Sequence, residues 1–369
     1  MRQSIVYIMN VDWDWAKQRP HFLAEHLSKS FDMIILYPYS WRRAHLAKNE
    51  CEDLKLFPFF RLPFGGKFAL IRKLNLLVLR AVASIFIRWC PSDFVWISSP
   101  ELFEYLPKNF SARLIYDCMD DVLAFPANES HKGMLAANEN ALIKICVHTF
   151  CSSINLRDKL ILRAGHAGKY SVIHNAFEPS SFLNFSANIG VKKQADRYVL
   201  GYVGTISSWM DFEALIKILQ AFPSVEIHLL GPIENLGRAR PQHERLKLTG
   251  AVRHGEIPSR VNDFDILLMP FKVTELILSV DPVKLYEYVF FDKPIVSVWY
   301  PEIERFSDFV DFYSSHEEMI SILSGYLSKG FRKKYSCEAR SRFIAVNTWA
   351  QRVACIEGKL KTIWFRNLN

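Results

Sequence analysis

The stretch "DPVKLYEYVFFDKPIVSV" (281–298) decides how this chain folds. It passes from a helix start straight into an apolar, β-branched run. Pro282 suits the first helical turn, with Asp281 as a candidate cap. Lys284 and Glu287 are three residues apart, so they share one helix face near the N-terminus. An anion favoured by the helix dipole fits beside Lys284. A carboxylate such as Glu287 can accept from two vicinal hydroxyls, as in a ribose. The plain alternative is a surface ion pair worth about 0.3 kcal/mol.

Working outward, short apolar runs alternate with helical patterns. Strands are expected at 4–9, 33–37, 94–98, 113–117, 147–151 and 170–174, then at 198–203, 225–230, 265–269, 294–298 and 309–313. Helices are expected at 20–30, 132–145, 154–164, 211–221 and 282–291. Repeated βα alternation predicts parallel sheets with helices on both faces. Two such series predict an α/β chain of two doubly wound domains. The expected domains are 1–182 and 197–345, with 183–196 as linker. The segment 346–369, helical at "VNTWAQRVACIEGKLKTIW" (346–364), is expected to return to the first domain.

The chain has 369 residues, half of them hydrophobic, enough for two cores. Its seven Cys (51, 90, 118, 146, 151, 337, 355) show no CxxC or His–Cys spacing. That pattern fits reduced thiols in a cytoplasmic protein and argues against zinc. "MRQSIVYIMN" (1–10) reads as a first strand rather than a signal peptide. The net charge is +8. Between 42 and 88 stand Arg42, Arg43, Lys48, Lys55, Arg61, Lys67, Arg72, Lys73, Arg80 and Arg88, against only Glu50, Glu52 and Asp53. Nearly the whole excess is therefore local, and it is interleaved with Leu, Ile and Phe. That mixture suits lipid better than a nucleic-acid backbone, and no nucleic-acid recognition motif is present.

Within this region "FALIRKLNLLVLRAVASIFIRWC" (68–90) is long enough to span a bilayer as a helix. Arg80 near its centre would cost about 3 kcal/mol there, which argues against a span. On a helical wheel Lys73, Arg80, Ser84 and Arg88 gather within roughly 160° of Arg72, with Asn75 outside the stripe. Such a helix can lie in an anionic membrane interface. Alternatively it packs its apolar side on the core and turns the basic stripe to water.

In open α/β sheets ligands bind beyond the carboxyl ends of the strands, and between two such domains the cleft is the default site. "GYVGTISSWMD" (201–211) leaves one strand with Gly204, Thr205, Ser207 and Ser208, and Asp211 as a helix cap. Small residues before a helix suit a phosphate, although neither a P-loop nor GxGxxG is present. A simple turn and cap is the competing reading.

The segment "PVKLYEYVFFDKPIVSV" (282–298) closely resembles the P-x-K…E-Y…K-P-V-V stretch of nucleotide-sugar glycosyltransferases with the GT-B fold. The relatives in question are family 4-like bacterial enzymes of capsule, O-antigen or teichuronic-type polysaccharide synthesis. "VIHNAFEPSSF", "GYVGTISSWMDFEALIKILQAFPSVEIHLLGP", "WDWAKQRPHFLAEHL" and "LIYDCMDD" resemble four further segments of that group, in the expected order. The resemblance implies two Rossmann-like domains facing a cleft, with the second holding the donor, most often a UDP-sugar. It implies that Glu287 binds the donor ribose, that Lys284 lies beside the donor, and that Gly204, Thr205 and Ser208 form the loop near the phosphates. The chain departs from the pattern at Ser279, where many relatives carry the first Glu of E-x7-E. It also lacks the Lys of the usual phosphate clamp; Arg238, Arg240 or Lys272 can supply the charge instead, which leaves the clamp's identity open. These departures leave retaining or inverting stereochemistry open.

An inverting transferase needs a base for the acceptor hydroxyl. Asp117, Asp120 and Asp121 leave the strand in "LIYDCMDD", and Asp120 or Asp121 is the favoured base, with a helix cap as the alternative. Asp14 and His21 are rivals. Trp13, Trp15, Gln18 and Arg19 follow the first strand and suit an acceptor sugar or lipid phosphate, or else one Trp is core. The acceptor-side set is thus Trp13, Asp14, Arg19 and His21. No metal or other cofactor is demanded. An acceptor carried on a lipid would explain the basic amphipathic segment and place the protein on the inner face of the plasma membrane. The rival functions are a GT-B nucleotide-sugar epimerase and a non-catalytic subunit of a polysaccharide assembly complex.

Overall fold

A computed structural model describes residues 2–14, 17–39, 53–62, 68–90, 92–107, 113–165, 169–182, 197–234, 236, 241–252 and 254–365. The chain forms two compact units, one of Met1–Asn175 with Trp349–Asn369 and the other of Ala176–Thr348. The division falls after Asn175, and the expected linker 183–196 lies outside the described residues.

Unit 1 runs β1 (Ser4–Ile8), α1 (Arg19–Leu27), β2 (Asp32–Tyr39), β3 (Lys55–Phe60), α2 (Ala69–Trp89), β4 (Phe94–Ile97), β5 (Arg113–Cys118), α3 (Lys132–Ile145), β6 (His148–Cys151), α4 (Ile154–Ala164) and β7 (Tyr170–Val172). Unit 2 runs β8 (Tyr198–Val203), α5 (Phe212–Ala221), β9 (Val225–Leu230), β10 (Leu246–Gly250), α6 (Ile257–Asn262), β11 (Ile266–Met269), α7 (Val283–Phe290), β12 (Ile295–Val298), β13 (Asp311–Tyr313), α8 (His316–Lys329) and α9 (Cys337–Val346). The chain then re-enters unit 1 as α10 (Trp349–Phe365).

Both sheets are parallel among their named strands. Their orders are β3-β2-β1-β4-β5-β6-β7 and β10-β9-β8-β11-β12-β13. In each, the order reverses beside the first strand of the unit, which creates a switch point where neighbouring loops diverge. The central strands are buried on both faces, as runs such as "FVWI" and "ILLM" require.

α10 belongs to unit 1 by its contacts. Trp349 stacks on Phe22 of α1 at 5.3 Å between ring centroids. The Arg113 guanidinium lies 4.4 Å over the Trp364 ring. Arg352 Nε donates to the carbonyls of His174 and Asn175 at 3.1 and 3.3 Å.

Candidate functional site

In unit 2 the switch point lies between β8 and β11. Two close approaches shape the loop that leaves β8. Gly204 and Gly231 both have φ in the positive region, and a Cβ on Gly231 would sit 2.0 Å from the Gly204 carbonyl oxygen. Only glycine permits that contact. The loop then pairs with the segment after β11, Asp211 N–H donating to the Pro270 carbonyl and Lys272 N–H to the Trp209 carbonyl, both at 2.8 Å.

α7 is fastened to the same strand ends by one buried hydroxyl. Tyr288 Oη accepts from the Val203 N–H at 2.9 Å and donates to the Leu268 carbonyl at 3.2 Å. The preceding residue, Glu287, therefore lies on a helix fastened to the end of β8. Lys284 Nζ donates to Glu287 Oε2 at 2.8 Å, and Glu287 is only 7 % exposed. Oε1 has no hydrogen-bond partner among the described residues. The pair is a half-buried cation and a nearly buried carboxylate, not the surface ion pair of the plain reading.

Two sequence expectations change here. Asp281 does not cap α7. The cap position is Pro282, without a side-chain bond, while the buried Asp281 carboxylate accepts from Tyr286 Oη and Arg305. The second concerns the phosphate reading of the loop: Asp211 caps α5 as expected, accepting from Ala214 N–H at 3.1 Å, so a carboxylate already sits at that N-terminus. His316 Nε2 donates to the other Asp211 oxygen at 3.0 Å while its Nδ1 faces Lys217 Nζ at 2.8 Å. An anion at this loop must use amides and cations other than the α5 N-terminus. Thr205 is half-buried, its carbonyl accepting from Tyr202 Oη at 3.0 Å, and Ser208 is exposed. Lys272 is exposed, and its ammonium has no partner among the described residues. Arg238 and Arg240 lie outside the described residues. Ser279 is 1 % exposed, so it presents no group to a ligand in the place of the relatives' Glu.

In unit 1 the residues gathered by sequence separate sharply. Arg19 and Asp117 form a buried ion pair. Arg19 Nε and Nη2 reach the Asp117 carboxylate at 2.8–3.1 Å, and Nη1 donates to the Ile173 carbonyl at 2.7 Å and to Asn175 Oδ1 at 3.2 Å. Arg19 thus ties the ends of β5 and β7 together and is not open to an acceptor. His21 is fully buried, with Nε2 donating to the Asp12 carbonyl and Nδ1 accepting the Gln18 N–H, both at 3.1 Å. Burial lowers its pKa to about 4, so it is a neutral structural ring rather than a base. Trp13 is core, packed on His21 and Tyr37. Of the four acceptor-side candidates, only Asp14 remains partly open. Trp15 lies outside the described residues.

The two candidate bases also part. Asp121 is buried, and its carboxylate accepts from Lys159 at 3.0 Å and Arg163 at 3.1 Å. Arg163 reaches on to Glu139, which accepts from Tyr116 Oη at 3.0 Å. That network spends Asp121 on holding α3 and α4 to β5. The residue before it is different. The Asp120 carboxylate is half-buried and has no hydrogen-bond partner among the described residues. Burial pushes its pKa up to about 7, against the pull of Arg19 and with added repulsion from Asp121 and Asp117. A carboxylate without donors, titrating near neutrality at a strand end, is suited to take a proton. The network that joins Asp121 to Glu139, Lys159 and Arg163 had no signature in sequence, because its members lie after β5, on α3 and on α4.

No family model matches the chain. Over 215 residues it is 28 % identical to the protein described as "Putative teichuronic acid biosynthesis glycosyltransferase TuaH" of Bacillus subtilis (strain 168), covering 52 % of each chain. The match thus spans about half the length of that relative. Among solved structures, sucrose-phosphate synthase from Thermosynechococcus elongatus superposes with a TM-score of 0.74 at 11 % identity, covering 99 % of this chain and 100 % of that one. HepE of Anabaena in complex with UDP gives 0.67 at 15 % identity, covering 98 % and 100 %. The lipopolysaccharide outer core galactosyltransferase WaaB, apo form, gives 0.64 at 12 %, covering 98 % and 99 %. The likeness to GT-B nucleotide-sugar glycosyltransferases read from the motifs is borne out, and with two parallel-sheet α/β units the chain has the GT-B fold.

Proposed function

We propose that the chain is a glycosyltransferase moving a sugar from a nucleoside diphosphate sugar, with UDP as the nucleotide, to a lipid-linked glycan in the synthesis of a bacterial surface polysaccharide. The observation that carries this reading is the unit 2 switch point, where Tyr288 fastens α7, with its Lys284–Glu287 pair, to the ends of β8 and β11. Glu287 Oε1 accepts from the ribose hydroxyls. Lys284, Lys272 and the amides after Gly204 meet the diphosphate, whose developing charge is the main electrostatic demand of the reaction. The acceptor is assigned to unit 1, with Asp120 receiving the proton of the attacking hydroxyl. The nucleotide sugar is a substrate, and the reaction is assigned no resident cofactor or metal. The protein works on the inner face of the membrane as a peripheral enzyme. Among the described residues no helix is long and apolar enough to cross a membrane.

The relatives support the coarser part of this reading by their descriptions, which name a teichuronic acid glycosyltransferase and a complex with UDP. A panel of nucleotide sugars, scored by thermal shift and by release of nucleoside diphosphate with a lipid-linked glycan acceptor in chelator, tests it. Stabilisation by a UDP-sugar and acceptor-dependent release are expected. If no nucleoside diphosphate or its sugar stabilises the protein, the reading fails. Conversion of the sugar without acceptor would favour the epimerase instead.

A further inference from the structure

The helix α2 contradicts its simpler sequence reading. Leu79, Ala83 and Ile87 form its buried side, joined to the unit 1 core. The opposite side is apolar as well, with Leu70 at 79 % and Leu77 at 64 % exposure and Leu74, Val78 and Ile85 also exposed. Arg80 is not part of an outward stripe, because Nε and Nη2 turn in to donate to the Glu104 carbonyl at 3.0 and 2.8 Å. Asn75 gives a second anchor. Its side chain accepts the Leu62 N–H at 2.8 Å and donates to the Leu62 carbonyl at 3.0 Å. These two contacts fix the roll of the helix with its second apolar face outward.

The edge strand β3 continues the patch. Phe57 packs on Phe86 of α2 at 4.5 Å between centroids, and Phe60 is exposed. Nine of the eighteen exposed large hydrophobics among the described residues lie between Phe57 and Ile85, on β3, α2 and the residues beside them. Lys55 of β3 and Arg72, Lys73 and Arg88 of α2 are exposed without a carboxylate partner among the described residues. The only acid among the described residues from 53 to 90 is Asp53.

We infer that the outward face of α2 and the β3 edge form a preset docking surface for an anionic lipid bilayer. Leucines enter the interface, and the flanking cations meet lipid phosphates. An apolar face on two elements whose exposed charges are all cations among the described residues fits this occupant, since a second copy would set like charges against each other. The inference rests on the peripheral placement proposed above and deepens it.

The test is flotation of the full chain with phosphatidylglycerol-rich vesicles and with pure phosphatidylcholine vesicles. Binding to the first and little to the second is expected. Neutralising Arg72, Lys73 and Arg88 to Gln lowers partitioning about 100-fold, roughly fivefold for each cation. The double variant L74S/L77S, which changes only exposed side chains, keeps the charge and loses binding by a similar factor. No flotation of the parent, or flotation unchanged in both variants, would overturn the inference. So would a dimer in sedimentation that L74S/L77S dissolves, which would make the face a contact between copies. A UDP titration of the same variants separates the two ideas. Lost vesicle binding with intact UDP binding is the expected result. A parent that floats but binds no nucleotide leaves this surface standing and removes the transferase reading.

Discussion

Replacing Asp120 by Asn isolates the most unusual group in unit 1. The Asp120 carboxyl holds its proton far more tightly in the fold than in the unfolded chain, at about 7 against 3.8. A group of this kind makes the native state bind more protons between those two values. Its contribution is therefore best at low pH and is lost as pH rises from about 4 to 7, levelling above 7. The full difference corresponds to at most about 4 kcal/mol, reduced by the partial exposure of the side chain. D120N keeps the shape and cannot ionise. Its urea unfolding curve should match the parent near pH 4 and lie roughly 2–4 kcal/mol higher at pH 8. The transfer rate should fall about 10²–10⁴-fold in the same variant, and the parent's rate should rise with pH through about 7. A stability offset that is constant with pH, or a D120N protein less stable than the parent at pH 8, would refute the account of this residue. Gained stability with unchanged turnover would leave the electrostatics intact and remove Asp120 as base.

Three further substitutions probe the frame around the candidate residues of each unit. Gly231→Ala forces a Cβ to 2.0 Å from the Gly204 carbonyl at a positive φ, and circular dichroism melting should show unit 2 losing about 3 kcal/mol or more. Arg19→Ala strands the Asp117 charge in the core and should cost about 3–5 kcal/mol, while Arg19→Lys recovers little because one ammonium cannot replace the forked contacts; chemical denaturation measures both. Tyr288→Phe leaves the Val203 N–H and the Leu268 carbonyl without their hydroxyl partner and should cost about 1–3 kcal/mol in a urea titration, with weaker nucleotide binding as α7 loosens from the loop.

The strands that carry apolar runs were legible in sequence. β8 and β9 lie where the runs 198–203 and 225–230 place them. The two strands left unread, β3 and β10, are the first strands of their sheets and form an edge. β3 carries Pro58 and exposed phenylalanines, and β10 is the short, half-polar "LKLTG", so neither shows a buried run. α10 starts at Trp349, close to the 346 from which the sequence predicts a separate helix. The Lys284–Glu287 pair could be read from its i, i+3 spacing. The sorting of Asp120 from Asp121 could not, because it depends on Lys159 and Arg163 approaching from α4. Arg19 and His21 looked available for the same reason: their partners Asp117 and Asp12 are fixed by tertiary packing and not by local pattern.

The most direct measurement is a calorimetric titration of UDP into the full chain and into Glu287→Ala. Saturable binding by the parent is predicted, weakened about 10–100-fold in the variant by loss of a charged acceptor for the ribose hydroxyls. Equal affinity in the two proteins, or no binding by the parent, would contradict the donor site described at the end of β8.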